Sequence, residues 1–168
     1  MIFIWQCFFV FVVLRVTIFN LQRKPTSMPI IEFVSTSQAN KNNKQSKFLI
    51  HVIENQEADS LLNLTDLDLT GYSHILDNFA VIHTFKKHGD MLSEALRGQI
   101  AIEKADFTNI PLIIINPDEI LIGEKNNKGN ILIKYTKAIE GVRYFYVAEI
   151  RTGRKEIALQ TFYKRAVK

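Results

Sequence analysis

Two histidines five residues apart, His83 and His88, are the side chains of this chain best suited to acid–base chemistry. An imidazole titrates close to neutral pH, so it can both accept and donate a proton. His83 follows Phe79 by one helical turn at the border of an apolar stripe, a partly desolvated position that favours a general base. The competing interpretation is that the His83 ring only covers the core, and that His88 only stabilises a helix end by its charge.

Positive charge is concentrated in the last part of the chain. Residues 125–168 hold 11 Lys and Arg against three Asp and Glu, a balance of +8, whereas residues 28–124 hold seven against 14, a balance of −7. Arg151, Arg154 and Lys155 cluster around one predicted turn, where they either clamp a phosphate group or form a solvated hairpin tip. A basic sheet surface that faces imidazoles is what binding and cleaving a phosphate backbone requires.

Two hydroxyl groups, those of Thr161 and Tyr163, lie near the end of the last predicted strand. Side chains alternate between the two faces of a strand, so these residues are expected to share a face with Ile157 and Leu159. The pattern predicts a pair of hydrogen-bond donors at the end of a mostly apolar face. High β-propensity alone also explains Thr and Tyr at these positions.

The sequence does not indicate a metal or cofactor site. The single cysteine, Cys7, lies in an apolar run, and His74, His83 and His88 are separated by nine and five residues. These spacings do not place two imidazoles on one helical face, as a zinc-hydrolase motif requires. There is also no Gly-rich phosphate loop and no Ser–His–Asp spacing, so we expect no cofactor.

The two candidate histidines are predicted to lie on a helix over residues 73–88. Ser73 can cap its N-terminus, and apolar residues recur inward at helical spacing, namely Ile75, Phe79, Ile82 and Phe85. His74, at the start of this helix, is expected at the surface. Asp90 begins a second predicted helix that ends at Gly98, with an inward face formed by Met91, Ala95 and Leu96.

After Pro111 the pattern changes from helix to strand. The predicted strands are β-branched or aromatic runs at 112–115, 119–123, 130–137, 142–150 and 155–164. Short connections with glycine predict that the last of them pair as an antiparallel meander. Upstream we expect a strand at 28–34, a polar loop at 35–47, a buried strand or helix start at 48–53 and a short helix within 54–69. Helices first and strands second predict an α+β fold, with N-terminal helices packed on one face of a four- to five-stranded antiparallel sheet.

The first 27 residues differ in composition from the rest of the chain. Residues 1–19 are mostly apolar and long enough to cross a bilayer, which would anchor a cytoplasmic domain to a membrane. The alternatives are an over-extended start, with Met28 as the true beginning, and a secretory signal without a cleavage site. We expect three regions, namely this apolar segment at 1–27, an extension with a polar loop at 28–70 and a main domain at 71–168.

The order of motifs over residues 71–164 resembles the phage-associated barnase–EndoU–colicin–RelE-like nuclease superfamily. Its members have a helix with a histidine and a Lys-His-Gly-Asp-like end, then Gly-Gln-Ile, Asp-Phe, Ile-Pro and Asn-Pro-Asp motifs, and a Thr-x-Tyr-Lys-like terminus. In this chain these are His83 and the motifs at 87–90, 98–100, 106–107, 110–111, 116–118 and 161–164. The resemblance covers over half of the chain and implies helices packed on an antiparallel sheet, as in barnase and RelE.

The resemblance also implies metal-independent cleavage of RNA. The ribose 2′-hydroxyl loses its proton to a base and attacks the adjacent phosphorus, an acid protonates the leaving 5′-oxygen, and a 2′,3′-cyclic phosphate remains. The catalytic candidates carried over are His83, His88, Thr161 and Tyr163. The candidates for phosphate and RNA binding are Lys87, Arg151, Arg154, Lys155 and Lys164. The implied partners are a structured RNA such as tRNA and an immunity or antitoxin protein of a phage or toxin system.

Two other functions fit the same sequence. One is a nucleic-acid- or protein-binding module that keeps the fold without activity, and which would bind RNA with a steep salt dependence but leave no cyclic-phosphate ends. The other is a membrane-tethered interaction protein whose folded part contacts an acidic partner.

Overall fold

Six strands of one mixed sheet form the centre of the structure, a computed structural model that describes residues 29–39 and 44–167. The strands are β1 (Lys47–Val52), β2 (Ser73–Asp77), β3 (Glu119–Lys125), β4 (Ile131–Ile139), β5 (Val142–Arg151) and β6 (Glu156–Ala166). Their order is β1-β2-β6-β5-β4-β3, and neighbours are antiparallel except for β2 and β6, which are parallel. The last strand of the chain therefore lies in the interior of the sheet, between β2 and β5.

The helices cover one face of this sheet. They are α1 (Ile30–Ala39), α2 (Asn55–Thr65), α3 (Asn78–His88), α4 (Met91–Leu96) and α5 (Ile110–Ile115), with 3₁₀ helices at Lys104–Asn109 and Thr152–Arg154. Buried helical side chains form one core with residues of β4, β5 and β6 such as Tyr135, Tyr146 and Phe162. The α+β class with helices on one sheet face is confirmed. The sheet has six strands rather than four or five, and β2 with β6 adds a parallel pair.

The predicted helix over residues 73–88 is wrong in its first five residues, which form β2. Ser73 is therefore not the N-cap. Asp77 caps α3 instead, because its carboxylate accepts a hydrogen bond of 2.8 Å from the backbone N–H of Ala80. Ile75 lies in β2, so its helical spacing with the later apolar residues is a coincidence.

The predicted inward faces of both helices are also wrong. Phe79 and Ile82 are 44% and 39% exposed, because α3 buries a neighbouring face formed by Asn78, Ala80, Val81 and Thr84. In α4, Met91 and Leu96 are 77% and 89% exposed, whereas Glu94 is completely buried. His74, expected at the surface, is completely buried in β2. Glu94 and His74 are polar side chains that occupy interior positions because each has a partly buried hydrogen-bond partner, which apolar spacing does not indicate.

Two predicted strands are helices. Residues 112–115 belong to α5, and Pro111 lies in its first turn, where the fixed backbone angle of proline suits a helix start. Ile113 and Ile114 of this helix are buried, so tertiary packing overrides their preference for strands. The predicted strand at 28–34 and the first part of the predicted loop lie in α1 where the structure describes them.

The other local predictions agree with the structure. The run at 48–53 forms β1, but the expected burial of this strand is wrong, because Leu49 and Val52 are exposed; the predicted helix within 54–69 is α2. The runs from 119 onward form β3 to β6 in antiparallel order. β1 comes from the segment predicted as an extension, yet it belongs to the same sheet as the later strands.

The apolar segment at 1–27 lies outside the described residues. The expected membrane anchor, the over-extended start and the secretory signal all concern this segment. Among the helices that the structure describes, none combines the length and the apolar character needed to cross a bilayer.

A bulge in β6 reverses the predicted faces of Thr161 and Tyr163. Two consecutive residues of β5 pair with Leu159 and Thr161, so Gln160 is an extra residue without a counterpart. An extra residue shifts the alternation of a strand by one. Thr161 and Tyr163 therefore do not share a face with Ile157 and Leu159, which is a correction to the prediction. They lie on the face opposite to Ile157, Leu159, Phe162 and Lys164, which we call the open face and which the ends of α3 and α4 border.

Candidate functional site

Three elements bring four polar or aromatic side chains together on the open face. His88, at the end of α3, has its Nδ1 3.0 Å from Oε2 of Glu94 in α4 and its Nε2 3.1 Å from Oγ1 of Thr161 in β6. The Tyr163 ring stacks on the His88 ring with 5.4 Å between centroids. We call these four residues the His88 centre. A carboxylate, an imidazole and a hydroxyl thus follow one another within hydrogen-bonding distance.

The tight turn between α3 and α4 places Glu94 against His88. Asp90 caps α4 by accepting a hydrogen bond of 2.8 Å from the backbone N–H of Ser93. Gly89 precedes it, and a Cβ at this position would lie 2.6 Å from the carbonyl oxygen of Phe85. Because any other residue would collide with the backbone of α3 here, the turn depends on glycine.

The buried carboxylate of Glu94 determines how the imidazole is used. Besides His88, it accepts a hydrogen bond of 2.6 Å from Nη1 of Arg97, which also donates to the carbonyl oxygen of Lys87 at 3.0 Å. A carboxylate at Nδ1 accepts a hydrogen bond from that nitrogen and fixes the orientation of the ring. Nε2, which faces Thr161 and the open face, is therefore the atom that can exchange a proton with a substrate.

The hydroxyl of Tyr163 is held in its protonated form. Burial raises the pKa of Tyr163, and the positive charge of Arg165 offsets only part of this rise. Tyr163 also stacks on Phe145, with 4.7 Å between centroids and 7° between the ring planes. At neutral pH the phenol is consequently a rigidly placed hydrogen-bond donor.

His83 lines a cleft of about 280 Å³ beside the His88 centre, together with Arg151 and Gln160. Partial burial lowers the pKa of His83, and the positive charges of Lys87 and His88 lower it further. The ring is therefore neutral at neutral pH and can accept a proton. The cleft and the His88 centre are neighbours along β6, since Gln160 of the cleft directly precedes Thr161.

Arg151 lies in the wall of the same cleft, but carboxylates surround it. Its Nε donates to Glu149 at 2.5 Å, and its Nη1 lies 3.5 Å from Asp77 and 3.7 Å from Glu156. Burial alone would raise the pKa of Glu149, but hydrogen bonds from Asn130 and Arg151 outweigh it and lower that pKa. The structure thus brings Arg151 to the cleft with its charge compensated.

Three other predicted cations are exposed near the site. Arg154 lines a second cleft of about 470 Å³ that also includes Arg151 and Lys128. Lys155 follows on the same turn in the left-handed backbone conformation, with a φ of 51°. Lys87 is exposed on α3, one residue before His88. All three can attract a polyanion without contacting the His88 centre.

Lys164 is the predicted RNA-binding residue that the structure does not bring to the open face. It is 8% exposed on the helix-covered face, and its Nζ lies 2.8 Å and 2.7 Å from the two carboxylate oxygens of Asp106. The hydroxyl of Tyr144 donates to the same carboxylate at 2.9 Å. Lys164 therefore forms a buried ion pair.

Sequence reasoning missed Glu94, Arg97 and Gln160. A single acid in the short helix after His88 is the only signal for Glu94. A bulge leaves no mark in the alternation of strand residues, so nothing in the sequence indicates the position of Gln160. In residues 29–39 and 44–167, no three His, Cys, Asp or Glu side chains are placed to hold a metal ion.

A comparison with protein families identifies the family of the chain. The family model described as phage-Barnase-EndoU-ColicinE5/D-RelE like nuclease3 matches residues 51–168. No curated protein and no solved structure matches the chain. The matched segment contains β2 to β6 and the whole His88 centre, and it confirms the resemblance to the phage-associated nuclease superfamily. The chain belongs to the phage-Barnase-EndoU-ColicinE5/D-RelE like nuclease3 family.

Proposed function

We propose that this nuclease domain cleaves RNA without a metal ion, by attack of a ribose 2′-hydroxyl on the adjacent phosphorus. The observation that carries the proposal is the chain of hydrogen bonds from Glu94 through His88 to Thr161 on the open face. Family membership supports nuclease activity. The choice of RNA, the mechanism and the roles of the residues are our inference.

In this mechanism His83 and His88 act as a base and an acid. His83, whose pKa is lowered, takes the proton of the 2′-hydroxyl while the 2′-oxygen bonds to phosphorus. The bond from phosphorus to the 5′-oxygen breaks, and Nε2 of His88 gives its proton to that oxygen. Glu94 supports this role because it stabilises the imidazolium form. The two residues are about 7.5 Å apart along the axis of α3 and about 140° apart around it, so the substrate has to reach both the cleft that His83 lines and the His88 centre.

The hydroxyl groups of Thr161 and Tyr163 donate hydrogen bonds to the oxygens of the phosphate. Removing one such donor in an enzyme typically costs about 10²–10³ in kcat. Lys87, Arg154 and Lys155 attract the RNA backbone from the rim, where their contribution depends on salt. Arg151 holds the cleft wall through its carboxylate partners rather than acting as a free phosphate clamp.

The full chain incubated with single-stranded RNA in EDTA tests this function. We expect cleavage that leaves 2′,3′-cyclic phosphate ends, identified by mass spectrometry, and a loss of about 10²–10⁴ in rate for His88→Ala and for His83→Ala. Lys104→Gln, which removes an exposed charge from the 3₁₀ helix at Lys104–Asn109, should cleave at the wild-type rate. Circular dichroism should show that all variants are folded.

The test examines the role assigned to each histidine separately. Wild-type cleavage by His83→Ala would remove the assigned base, and wild-type cleavage by His88→Ala would remove the assigned acid. Cleavage that stops in EDTA and returns with a divalent cation would contradict the metal-independent mechanism.

A binding module without activity is the second candidate function. Two contacts favour this function. Nε2 of His88 already has Thr161 as its hydrogen-bond partner, and the charge of Arg151 is already compensated by carboxylates of the protein. Such a module would bind RNA with a steep salt dependence and leave it intact. The same assay therefore distinguishes the two functions.

A further inference from the structure

A cavity of about 560 Å³ lies beside the His88 centre, at the end of β6. Three arginines line it together with small or apolar residues, namely Arg97, Gly98, Arg143, Arg165, Ala166 and Val167. No acidic side chain is among these lining residues. The cavity thus presents three guanidinium groups to solvent within one concavity.

Two of these arginines are placed where they repel each other. Arg143 and Arg165 are direct partners across β5 and β6 on the open face. Like charges at directly opposed positions destabilise a sheet. Among the ion pairs of the described residues, Arg97 forms one with Glu94, whereas Arg143 and Arg165 form none. An anion between the two guanidinium groups would remove this repulsion.

Stacked rings connect the cavity to the His88 centre. His88 stacks on Tyr163, Tyr163 stacks on Phe145, and the guanidinium of Arg165 lies 4.8 Å above the centre of the Phe145 ring. Arg97 is held on the other side by the Glu94 carboxylate that also binds His88. Two of the three guanidinium groups are therefore fixed before any ligand arrives, which reduces the entropy lost on binding.

The distance from the His88 centre determines which phosphate the cavity can hold. Thr161 and Arg165 are four residues apart on β6, roughly 13 Å at about 3.3 Å per residue. No residue of the His88 centre lines the cavity, so a phosphate that contacts the hydroxyl of Thr161 is a different group from one held in the cavity. A strand whose scissile phosphate lies at the His88 centre would instead place a flanking phosphate among the arginines.

We propose that Arg97, Arg143 and Arg165 form a subsite for a backbone phosphate that flanks the phosphate cleaved at the His88 centre. The proposal rests on the proposed nuclease function, which makes the phosphate at the His88 centre the cleaved one and the phosphate among the arginines the flanking one. Arginine suits the subsite because its planar guanidinium binds two phosphate oxygens at once. It follows that an RNA with flanking phosphates binds better than a dinucleoside monophosphate, which carries only the scissile phosphate.

The test compares these two substrates in the full chain and in Arg143→Gln/Arg165→Gln. With a short single-stranded RNA we expect KM to rise about tenfold or more and kcat to stay within about twofold, since only substrate binding is weakened. With the dinucleoside monophosphate, kcat/KM should stay within about twofold. Lys104→Gln, which removes one exposed charge elsewhere, should change neither substrate by more than about twofold.

The proposal is overturned if the variant loses the same factor on both substrates, since the arginines would then act at the His88 centre. It is also overturned if neither substrate is affected. Circular dichroism and urea denaturation of the variant show that any loss is not due to unfolding.

Binding to a single-stranded DNA oligonucleotide separates this proposal from the proposed function, because DNA lacks the attacking 2′-hydroxyl. Fluorescence anisotropy at several salt concentrations should show weaker binding by Arg143→Gln/Arg165→Gln. The slope of log K against log salt should become shallower by roughly 0.7 for each phosphate that the variant no longer neutralises. If the wild type does not cleave RNA but this difference in binding persists, the subsite stands and the nuclease mechanism falls. Equal binding by the variant and the wild type would overturn the subsite.

Discussion

The two faces of the sheet each carry a histidine paired with a glutamate, in opposite environments. On the open face, His88 joins Glu94 to a hydroxyl. On the helix-covered face, Nε2 of His74 lies 3.1 Å from Oε1 of Glu57, whose Oε2 lies 2.7 Å from Nε2 of His51. The His74 ring is completely buried against aromatic rings, whereas its partner Glu57 and His51 line a cleft of about 350 Å³.

Electrostatics differ between the two pairs as much as burial does. Burial lowers the pKa of His74 despite the adjacent Glu57 carboxylate, and burial also raises the pKa of the neighbouring Tyr135 hydroxyl well above its usual value. The His88 centre instead borders the arginine subsite. Both pairs thus lie near a cavity, but the cavity at His51 and Glu57 is lined by acids and the one near His88 by arginines, and only the second suits a polyanionic substrate.

The largest effect we expect concerns consecutive residues that face opposite ways, Lys164 and Arg165. Lys164→Ala should lower the free energy of unfolding by about 3–5 kcal/mol, because Asp106 would remain charged and buried without its cation. Urea denaturation measures this change. Arg165→Ala is the matched control, and it should change stability by less than about 1 kcal/mol while weakening RNA binding. A mild effect of Lys164→Ala would contradict the assignment of the two faces.

Replacing the two glutamates should separate chemistry from stability. Glu94→Gln should reduce RNA cleavage about 100-fold, because the amide does not stabilise the His88 imidazolium. Glu57→Gln should leave the cleavage rate unchanged and lower the free energy of unfolding by about 1–3 kcal/mol, because it weakens hydrogen bonds to His51 and His74. Steady-state kinetics and urea denaturation of both variants give the comparison. Loss of cleavage in Glu57→Gln without loss of stability would contradict it.

The smallest effect is a pH dependence that belongs to the covered pair. The pKa of His74 is lowered on folding, so the unfolded state binds more protons once the pH falls below about 6.5. The free energy of unfolding should therefore decrease on acidification from about pH 7, by at most about 1.4 kcal/mol per pH unit for this residue. His74→Gln removes the titrating group and should show a shallower decrease in urea denaturation across the same range. Parallel curves for the two proteins would count against a buried neutral His74.

The parts of the fold that the sequence predicts well are those with local signals. β3 to β6 alternate or carry β-branched and aromatic runs, and glycine-containing turns separate the last of them. The start of α3 was missed because Ile75 happens to continue a helical spacing from a neighbouring strand. α5 was missed because packing against the sheet, which is not a local property, decides the state of its isoleucines.

The candidate site was predictable in its residue types but not in its connections. His88, Thr161 and Tyr163 were singled out by chemistry, and the structure brings them together. Their contact depends on the extra residue Gln160 and on the turn that places Glu94, neither of which follows from periodicity. Lys164 illustrates the reverse, since its charge suggested a surface role and its place in β6 gives it a buried partner.

The irregularity at Gln160 has a consequence for how this strand can change. Before it, β6 presents Ile157 and Leu159 to the interior, and after it the interior residues are Phe162 and Lys164. Loss of one residue there would exchange the two sets downstream, moving an aromatic ring and an ammonium into water and two hydroxyls into the core. A substitution in β6 therefore changes the side chains on one face of the sheet. Loss of a residue at Gln160 would require compensating substitutions on both faces at once.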